Sequence, residues 1–128
     1  MLHAIIDIGS NTIRMAVYQI EERSFELLLK RKHTVGLAGY LEDGRLVREG
    51  IEKTVKILRG FMDFIETFGI AHVHAFATAA LRTAANGHAV TDEIMRRTGV
   101  AVRIISGDEE AAYDFIGATT SIAHADGI

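Results

Sequence analysis

A carboxylate stands beside a loop of small polar residues in the N-terminal stretch AIIDIGSNTIRMAV. Gly9, Ser10, Asn11 and Thr12 separate two apolar runs, and Asp7 comes just before them. A loop without bulky side chains can direct several backbone N–H groups at one anion, and Ser, Asn and Thr add side-chain donors. The same residue types are also common turn formers. The spacing alone therefore leaves two interpretations open, a phosphate-binding loop or an ordinary turn.

Asp7 lies between isoleucines that we expect to be buried. Carboxylates are rarely fully buried without a partner. Asp7 could help to hold Mg²⁺, because hard cations prefer oxygen ligands. It could equally accept hydrogen bonds from the backbone N–H groups of the turn.

Two arginines are candidates for contact with an anion. Arg14 lies on the polar face of the second predicted strand, and Arg82 lies in a short stretch otherwise built from Ala, Leu and Thr. A guanidinium fork matches phosphate oxygens in two parallel bonds. Taken alone, either arginine is equally typical of a solvated surface.

The stretch SGDEEA combines a helix start with a third acid. Ser106 and Glu109 have the spacing of a capping box, and Asp108 suits the positive end of a helix dipole. Glu110 has no such explanation and is either a solvated residue or a base that orients a water. His72 and His74 alternate on one strand without a third ligand nearby, so we interpret them as strand residues.

The order of predicted elements indicates an α/β fold. Three strands joined by short turns come first, and helices then alternate with two more strands. This order predicts one domain over residues 1–128, a five-stranded mixed sheet with helices on both faces. The predicted strands are Leu2–Ile8, Thr12–Ile20, Phe25–Val35, Ile70–Ala77 and Val100–Ile105, and the predicted helices span about 51–68, 79–85, 90–98 and 106–120.

Composition excludes several classes of site. The chain has no cysteine, which removes disulfides, thiolate metal sites and cysteine nucleophiles. Its formal net charge of −3 argues against nucleic acid or an anionic membrane as the main partner. Neither a basic leader nor an apolar run of about 20 residues is present, so a cytoplasmic location is expected.

Three stretches in series, AIIDIGSNTIRM, ATAALRTAANG and IISGDEEA, together resemble the exopolyphosphatase and guanosine pentaphosphate phosphohydrolase family (Ppx/GppA). The resemblance covers nearly the whole chain and implies the ribonuclease H-like fold of the actin-like ATPase superfamily. It also implies release of terminal phosphate from polyphosphate or guanosine pentaphosphate, with Mg²⁺ as cofactor. The resemblance implies that the phosphates are contacted by Gly9, Ser10, Asn11, Arg14 and Arg82. It also implies that Glu110 is the catalytic base and that Asp7 is a ligand of Mg²⁺.

The family pattern continues into a second lobe that opens with a loop of the type D-x-G-G-G-S, whereas this chain ends at SIAHADGI. Phosphoryl transfer needs charge stabilisation from several sides, so we expect one lobe alone to hydrolyse little or nothing. The expected partners are that second lobe, a polyphosphate or guanosine polyphosphate, or a second copy of the chain.

Two other classes of function are open. The chain could be a phosphate-binding or self-associating module without catalysis. A ribonuclease H-like nuclease is disfavoured because the fourth strand ends in AFATAAL, without the acid that a two-metal site needs. A kinase of the same superfamily would share the first loop.

Overall fold

The structure, a computed structural model, describes residues 1–111. Seven strands, three α-helices and one 3₁₀ helix (Leu37–Tyr40) have defined bounds within this range, and a further helix begins at Gly107. The predicted course of that last helix to residue 120 lies mostly outside the described residues. In chain order the elements are β1 (Leu2–Ile8), β2 (Thr12–Glu21), β3 (Ser24–Thr34), β4 (Leu41–Glu42), β5 (Arg45–Leu46), α1 (Arg48–Thr67), β6 (His72–Ala77), α2 (Ala79–Thr83), α3 (Gly87–Thr98) and β7 (Val102–Ile104).

Five of the strands form one mixed sheet in the order β3-β2-β1-β6-β7. The first three strands pair antiparallel as hairpins, and β6 and β7 add parallel to β1. Parallel neighbours require helical crossovers, and α1 to α3 provide them. The predicted mixed five-stranded sheet is confirmed.

One face of this sheet carries the hydrophobic core. Alternate residues of β1 and β2, such as Ile6 and Met15, are completely buried, as strand periodicity requires. They pack with the apolar sides of α1 and α3, for example Leu58 and Ile94. Both long helices therefore cover the same face. The prediction of helices on both faces is not tested by residues 1–111, in which the two long helices lie on one face.

The segment 36–46, which lies between the third predicted strand and the first predicted helix, contains a short hairpin. β4 and β5 pair antiparallel around a turn at Asp43 and Gly44, both of which have positive φ. Two-residue strands carry too little alternation to be detected as a pattern. The hairpin is held to the core by Leu46, which is 3% exposed.

Helices α1 and α3 are joined by a network of four charged side chains. The Arg97 guanidinium donates to both carboxylate oxygens of Glu52, at 2.7 and 2.8 Å, and to Glu93 at 2.8 Å. Arg48 donates to Glu93 at 2.6 Å. The hydrogen bond from Arg97 is the largest cause that lowers the pKa of Glu52 to about 2.

Candidate functional site

The loop between β1 and β2 is a two-residue reversal with Ser10 and Asn11 at its tip. The Gly9 N–H donates to the Thr12 carbonyl at 3.0 Å. The Asn11 carbonyl accepts the N–H groups of Val35 and Gly36, at 3.0 and 2.8 Å, and the Ser10 carbonyl accepts the Ala38 N–H at 3.0 Å. Within residues 1–111 the backbone N–H groups of Ser10 and Asn11 donate to no protein atom. Two amide donors are therefore held on a fixed backbone, as an anion site needs.

Glycine is required at position 9 because the loop leaves no room for a side chain there. A Cβ there would lie 2.8 Å from the Thr12 carbonyl oxygen, closer than side chains approach backbone atoms. The same position is 4.0 Å from Asp7 Oδ1, so the Asp7 carboxylate adjoins the loop. A side chain at position 9 would therefore disturb the turn at Thr12, whereas its distance from Asp7 Oδ1 is that of an ordinary contact.

Asp7 and Arg14 are cross-strand partners on the sheet face opposite the core. The Asp7 Oδ1 atom is buried, whereas Arg14 is exposed and forms no salt bridge among residues 1–111. No group of three or more His, Asp or Glu side chains in the described part of the chain could enclose a metal ion. Any metal here would have to rely on Asp7 together with oxygens of a bound phosphate and water, which is the usual way that Mg²⁺ is held.

Arg82 and Glu110 lie together, although they are far apart in sequence. The Arg82 guanidinium donates to Glu110 Oε2 at 3.3 Å from both Nη atoms, and Nη1 also donates to the Ile105 carbonyl at 2.9 Å. Each side chain is 31% exposed. A guanidinium has five N–H donors, so two remain available to an anion after these contacts.

A chain of backbone contacts ties this pair to the loop. Thr78 N–H donates to the Ile8 carbonyl at 3.2 Å, directly before Gly9, and Arg82 N–H donates to the Thr78 carbonyl at 2.9 Å. Strands β1, β6 and β7 are parallel, so their carboxyl ends share one edge of the sheet. Loop, Arg82 and Glu110 all follow those ends, which is where open α/β sheets bind ligands.

The predicted helix signals near this edge had mixed outcomes. Ser106 and Glu109 form the predicted capping box, with Glu109 N–H donating to Ser106 Oγ at 3.1 Å and the reciprocal bond at 3.3 Å. Thr78 precedes α2 and has a residue type common at helix N-caps, but it makes no side-chain cap bond. Asn86 precedes α3 and pairs its side-chain amide with both backbone groups of Leu46, at 2.9 and 3.0 Å. Sequence reasoning missed this contact because its partner is distant in sequence.

Comparison with known proteins shows to which family the chain belongs. The model of the Ppx/GppA phosphatase family matches residues 16–128. The chain belongs to the Ppx/GppA phosphatase family. The resemblance drawn from its three motifs is therefore confirmed, and Arg82 and Glu110 lie within the matched range, whereas Asp7, the loop and Arg14 precede it.

Solved structures of this family superpose on the chain. The Ppx/GppA family member of Aquifex aeolicus is 32% identical over 86% of this chain, with a TM-score of 0.81. An exopolyphosphatase from Cytophaga hutchinsonii is 26% identical over 88% of the chain, also with a TM-score of 0.81. This chain spans 36% of the length of each of those proteins and corresponds to their N-terminal portion. The likeness establishes the ribonuclease H-like fold of the actin-like ATPase superfamily.

Among residues 1–111, no helix has both the length and the apolar character needed to cross a lipid bilayer.

Proposed function

We propose that this Ppx/GppA chain carries one side of the active site of a phosphoanhydride hydrolase acting on inorganic polyphosphate or guanosine pentaphosphate. The observation that supports this most is the pair of backbone N–H groups at Ser10 and Asn11, which have no acceptor within residues 1–111 and lie at the same sheet edge as Arg82 and Glu110. Amide donors and a guanidinium together suit an anion with several oxygens.

In the proposed reaction the terminal phosphate is held by the loop amides and by the unused N–H groups of Arg82, with Arg14 as a further cation. Glu110 accepts a proton from a water molecule while the water oxygen attacks the terminal phosphorus. The bond between that phosphorus and the bridging oxygen breaks, and the oxygen leaves with the shortened chain. The products are orthophosphate and a polymer one unit shorter.

Arg82 has two tasks in this scheme. Its bonds to the Ile105 carbonyl and to Glu110 fix the carboxylate at the sheet edge before substrate arrives. The 3.3 Å separation from Glu110 is long for a charged pair, and two of the five guanidinium N–H donors have no acceptor within residues 1–111, so Arg82 can also donate to a phosphate. Loss of Arg82 should therefore weaken binding and also misplace the base.

The residues present suit Mg²⁺ in the way that phosphate enzymes commonly use it. Asp7 supplies one carboxylate with a buried oxygen beside the loop, and the remaining ligands would be water and substrate oxygens. When bound, Mg²⁺ would offset the negative charge on the phosphate oxygens.

The other side of the phosphate cradle would come from a partner. We propose a second lobe of the same enzyme, since this chain spans only 36% of the length of two solved family members, with a second copy of this chain as the alternative. The chain alone is then expected to bind phosphate chains weakly and release little orthophosphate.

The test separates binding from turnover. Binding of tripolyphosphate to the 128-residue chain is measured by calorimetry, for the wild type and for Gly9→Ala, Arg82→Gln and Glu110→Gln. Phosphate release is measured in a fusion of the chain to the remaining part of the Aquifex protein. We expect Gly9→Ala and Arg82→Gln to weaken binding, and Glu110→Gln to keep binding but lower release by at least about 100-fold.

Glu22→Gln is a matched control, since Glu22 is an exposed carboxylate in the turn between β2 and β3. Glu22→Gln should change neither tripolyphosphate binding nor phosphate release. Unchanged release in Glu110→Gln would remove Glu110 from the mechanism. If the fusion without any substitution binds tripolyphosphate tightly but releases no orthophosphate, the result would instead support a binding module without catalysis.

A further inference from the structure

The hairpin of β4 and β5 connects the candidate phosphate loop with the segment that carries Arg82. On one side it follows residues 36–38, two of whose N–H groups donate to the carbonyls of Ser10 and Asn11. On the other side it is bonded to Asn86, four residues after Arg82. The hairpin therefore stands between the two sets of donors that would hold one anion.

Asn86 holds the hairpin through its side chain. Its Oδ1 accepts the Leu46 N–H at 2.9 Å, and its Nδ2 donates to the Leu46 carbonyl at 3.0 Å. The neighbouring Ala85 N–H donates to the Gly44 carbonyl at 2.7 Å. A side-chain amide has a donor and an acceptor in one plane, so Asn86 pairs with Leu46 as a neighbouring strand would. An aliphatic side chain can make neither bond, and an ionised carboxylate can make only one.

The hairpin has little support of its own. Its strands have two residues each, and the four residues from Glu42 to Arg45 are all exposed. Only Leu46 among the residues of β4 and β5 is buried. Isolated two-stranded hairpins are at best marginally stable in water. The bonds from Asn86 and Ala85 therefore do much to fix where the hairpin lies.

Helix α2, which carries Arg82, is bonded at both ends. It has five residues, and isolated helices this short are not stable in water. Before the helix, the Thr78 N–H donates to the Ile8 carbonyl at 3.2 Å, next to the loop. After the helix, Ala85 and Asn86 are bonded to the hairpin. The orientation of α2, and with it the position of the Arg82 guanidinium, depends on both attachments.

These contacts close a ring of hydrogen bonds. The ring passes from the loop through residues 36–38, the hairpin, Asn86 and α2 to Thr78, and it returns to the loop at Ile8. Within residues 1–111, Asn86 is the one place in this ring where a side chain supplies the link. A substitution there opens the ring without changing any residue of the loop or of α2.

We propose that Asn86 is a positioning residue, which holds Arg82 at a fixed place relative to the Ser10 and Asn11 amides so that both can bind one phosphate group. Asn86 acts through the hairpin, because none of its hydrogen bonds within residues 1–111 reaches the loop or the Arg82 side chain. The proposal rests on the function proposed above.

The first test is a double-mutant cycle on the 128-residue chain, with tripolyphosphate affinity measured by NMR titration at a temperature where every variant is folded. Asn86→Ala should weaken binding roughly fivefold, a typical coupling between residues of one hydrogen-bond network. In an Arg82→Gln background the same change should have almost no effect, because no guanidinium is left to position. Asn86→Asp keeps the bond from the Leu46 N–H and should give an intermediate affinity.

The second measurement needs no anion. In NMR spectra of the free chain, Asn86→Ala should shift the backbone amide resonances of Ser10 and Asn11. It should also speed hydrogen exchange at Ala38, whose N–H donates to the Ser10 carbonyl. These residues respond only if the hairpin transmits the change from Asn86 to the loop.

Arg97→Gln is the control for a general loss of stability. It removes the ion pairs of Arg97 with Glu52 and Glu93, near the end of α3 and roughly 16 Å along the helix from Asn86. Arg97→Gln should lower the free energy of unfolding but leave the loop resonances and the tripolyphosphate affinity unchanged.

The outcomes separate the positioning role from the proposed function. Additive effects of Asn86→Ala and Arg82→Gln, or loop resonances that do not move, would overturn the positioning role. An effect of Arg82→Gln on affinity with none of Asn86→Ala would overturn it too, while the proposed function would stand. If Gly9→Ala and Arg82→Gln both leave binding unchanged but Asn86→Ala still moves the loop resonances, the phosphate site fails and the coupling through Asn86 stands.

Discussion

Gly87 is the position where a single methyl group should be most damaging. It is the first residue of α3 and is buried against the backbone of α2. A Cβ at this position would lie 2.1 Å from the Leu81 carbonyl oxygen and 3.2 Å from its carbon. The obstacle is main chain, not a flexible side chain, so the two helices would have to separate by about 1 Å in a close-packed interior.

Such overpacking costs typically 1–3 kcal/mol, and the involvement of backbone places Gly87→Ala near 3 kcal/mol. For a domain of this size that corresponds to a fall in Tm of roughly 10 °C. Urea and thermal unfolding followed by circular dichroism measure both quantities. Gly60→Ala is the control, because it adds the same group in a helix where no atom lies within 4 Å, and it should raise stability by about 1 kcal/mol.

The same variant connects the fold with the candidate site. Leu81 directly precedes Arg82, whose guanidinium reaches the Ile105 carbonyl and Glu110. Displacement of α2 should therefore weaken tripolyphosphate binding even at temperatures where Gly87→Ala remains folded. A destabilisation below about 0.5 kcal/mol would refute the reasoning, because it would mean that α2 and α3 do not pack at Leu81 as described.

Three further predictions concern contacts away from the loop. Asn86→Ala removes two hydrogen bonds to the backbone of Leu46 and should lower the free energy of unfolding by about 2 kcal/mol in urea titrations, whereas Asn86→Asp should keep one bond. The hydrogen bond from Arg97 lowers the pKa of Glu52 to about 2, so the ionised side chain contributes to stability fully above its ordinary pKa of 4.5 and loses that contribution as the pH falls toward 2. Glu52→Gln should therefore lower the free energy of unfolding at neutral pH and have progressively less effect toward pH 2. Desolvation, and then His72 and His74, lower the pKa of His3 below its ordinary 6.5, so stability should fall as pH drops below that value, and His3→Gln should flatten this slope.

The elements that local pattern determines were predicted well. Strand β1 has the predicted bounds, Leu2–Ile8, because most of its residues are apolar and the stretch ends at a glycine. The Ser106–Glu109 capping box was predictable for the same reason, since both partners lie within one helical turn. Features that depend on distant residues were not accessible, among them the Asn86 contact with Leu46 and the hairpin over Leu41–Leu46.

A groove between β3 and α1 shows the same physical limit. Arg31 and His33 from β3 line it together with Lys53 and Lys56 from α1. No local pattern in the sequence predicts this groove, because only the packing of α1 beside β3 brings its two sides together.

Topology, more than spacing, explains why the candidate residues meet. Separations of dozens of residues say nothing about distance, but the loop follows β1, Arg82 follows β6 and Glu110 follows β7. Once these three strands are parallel neighbours, everything that follows their carboxyl ends must gather at one edge of the sheet. The Arg82–Glu110 contact is a direct consequence of that strand order. An insertion in any of the three connections would leave the edge intact, whereas reversal of one strand would remove its residue from the site.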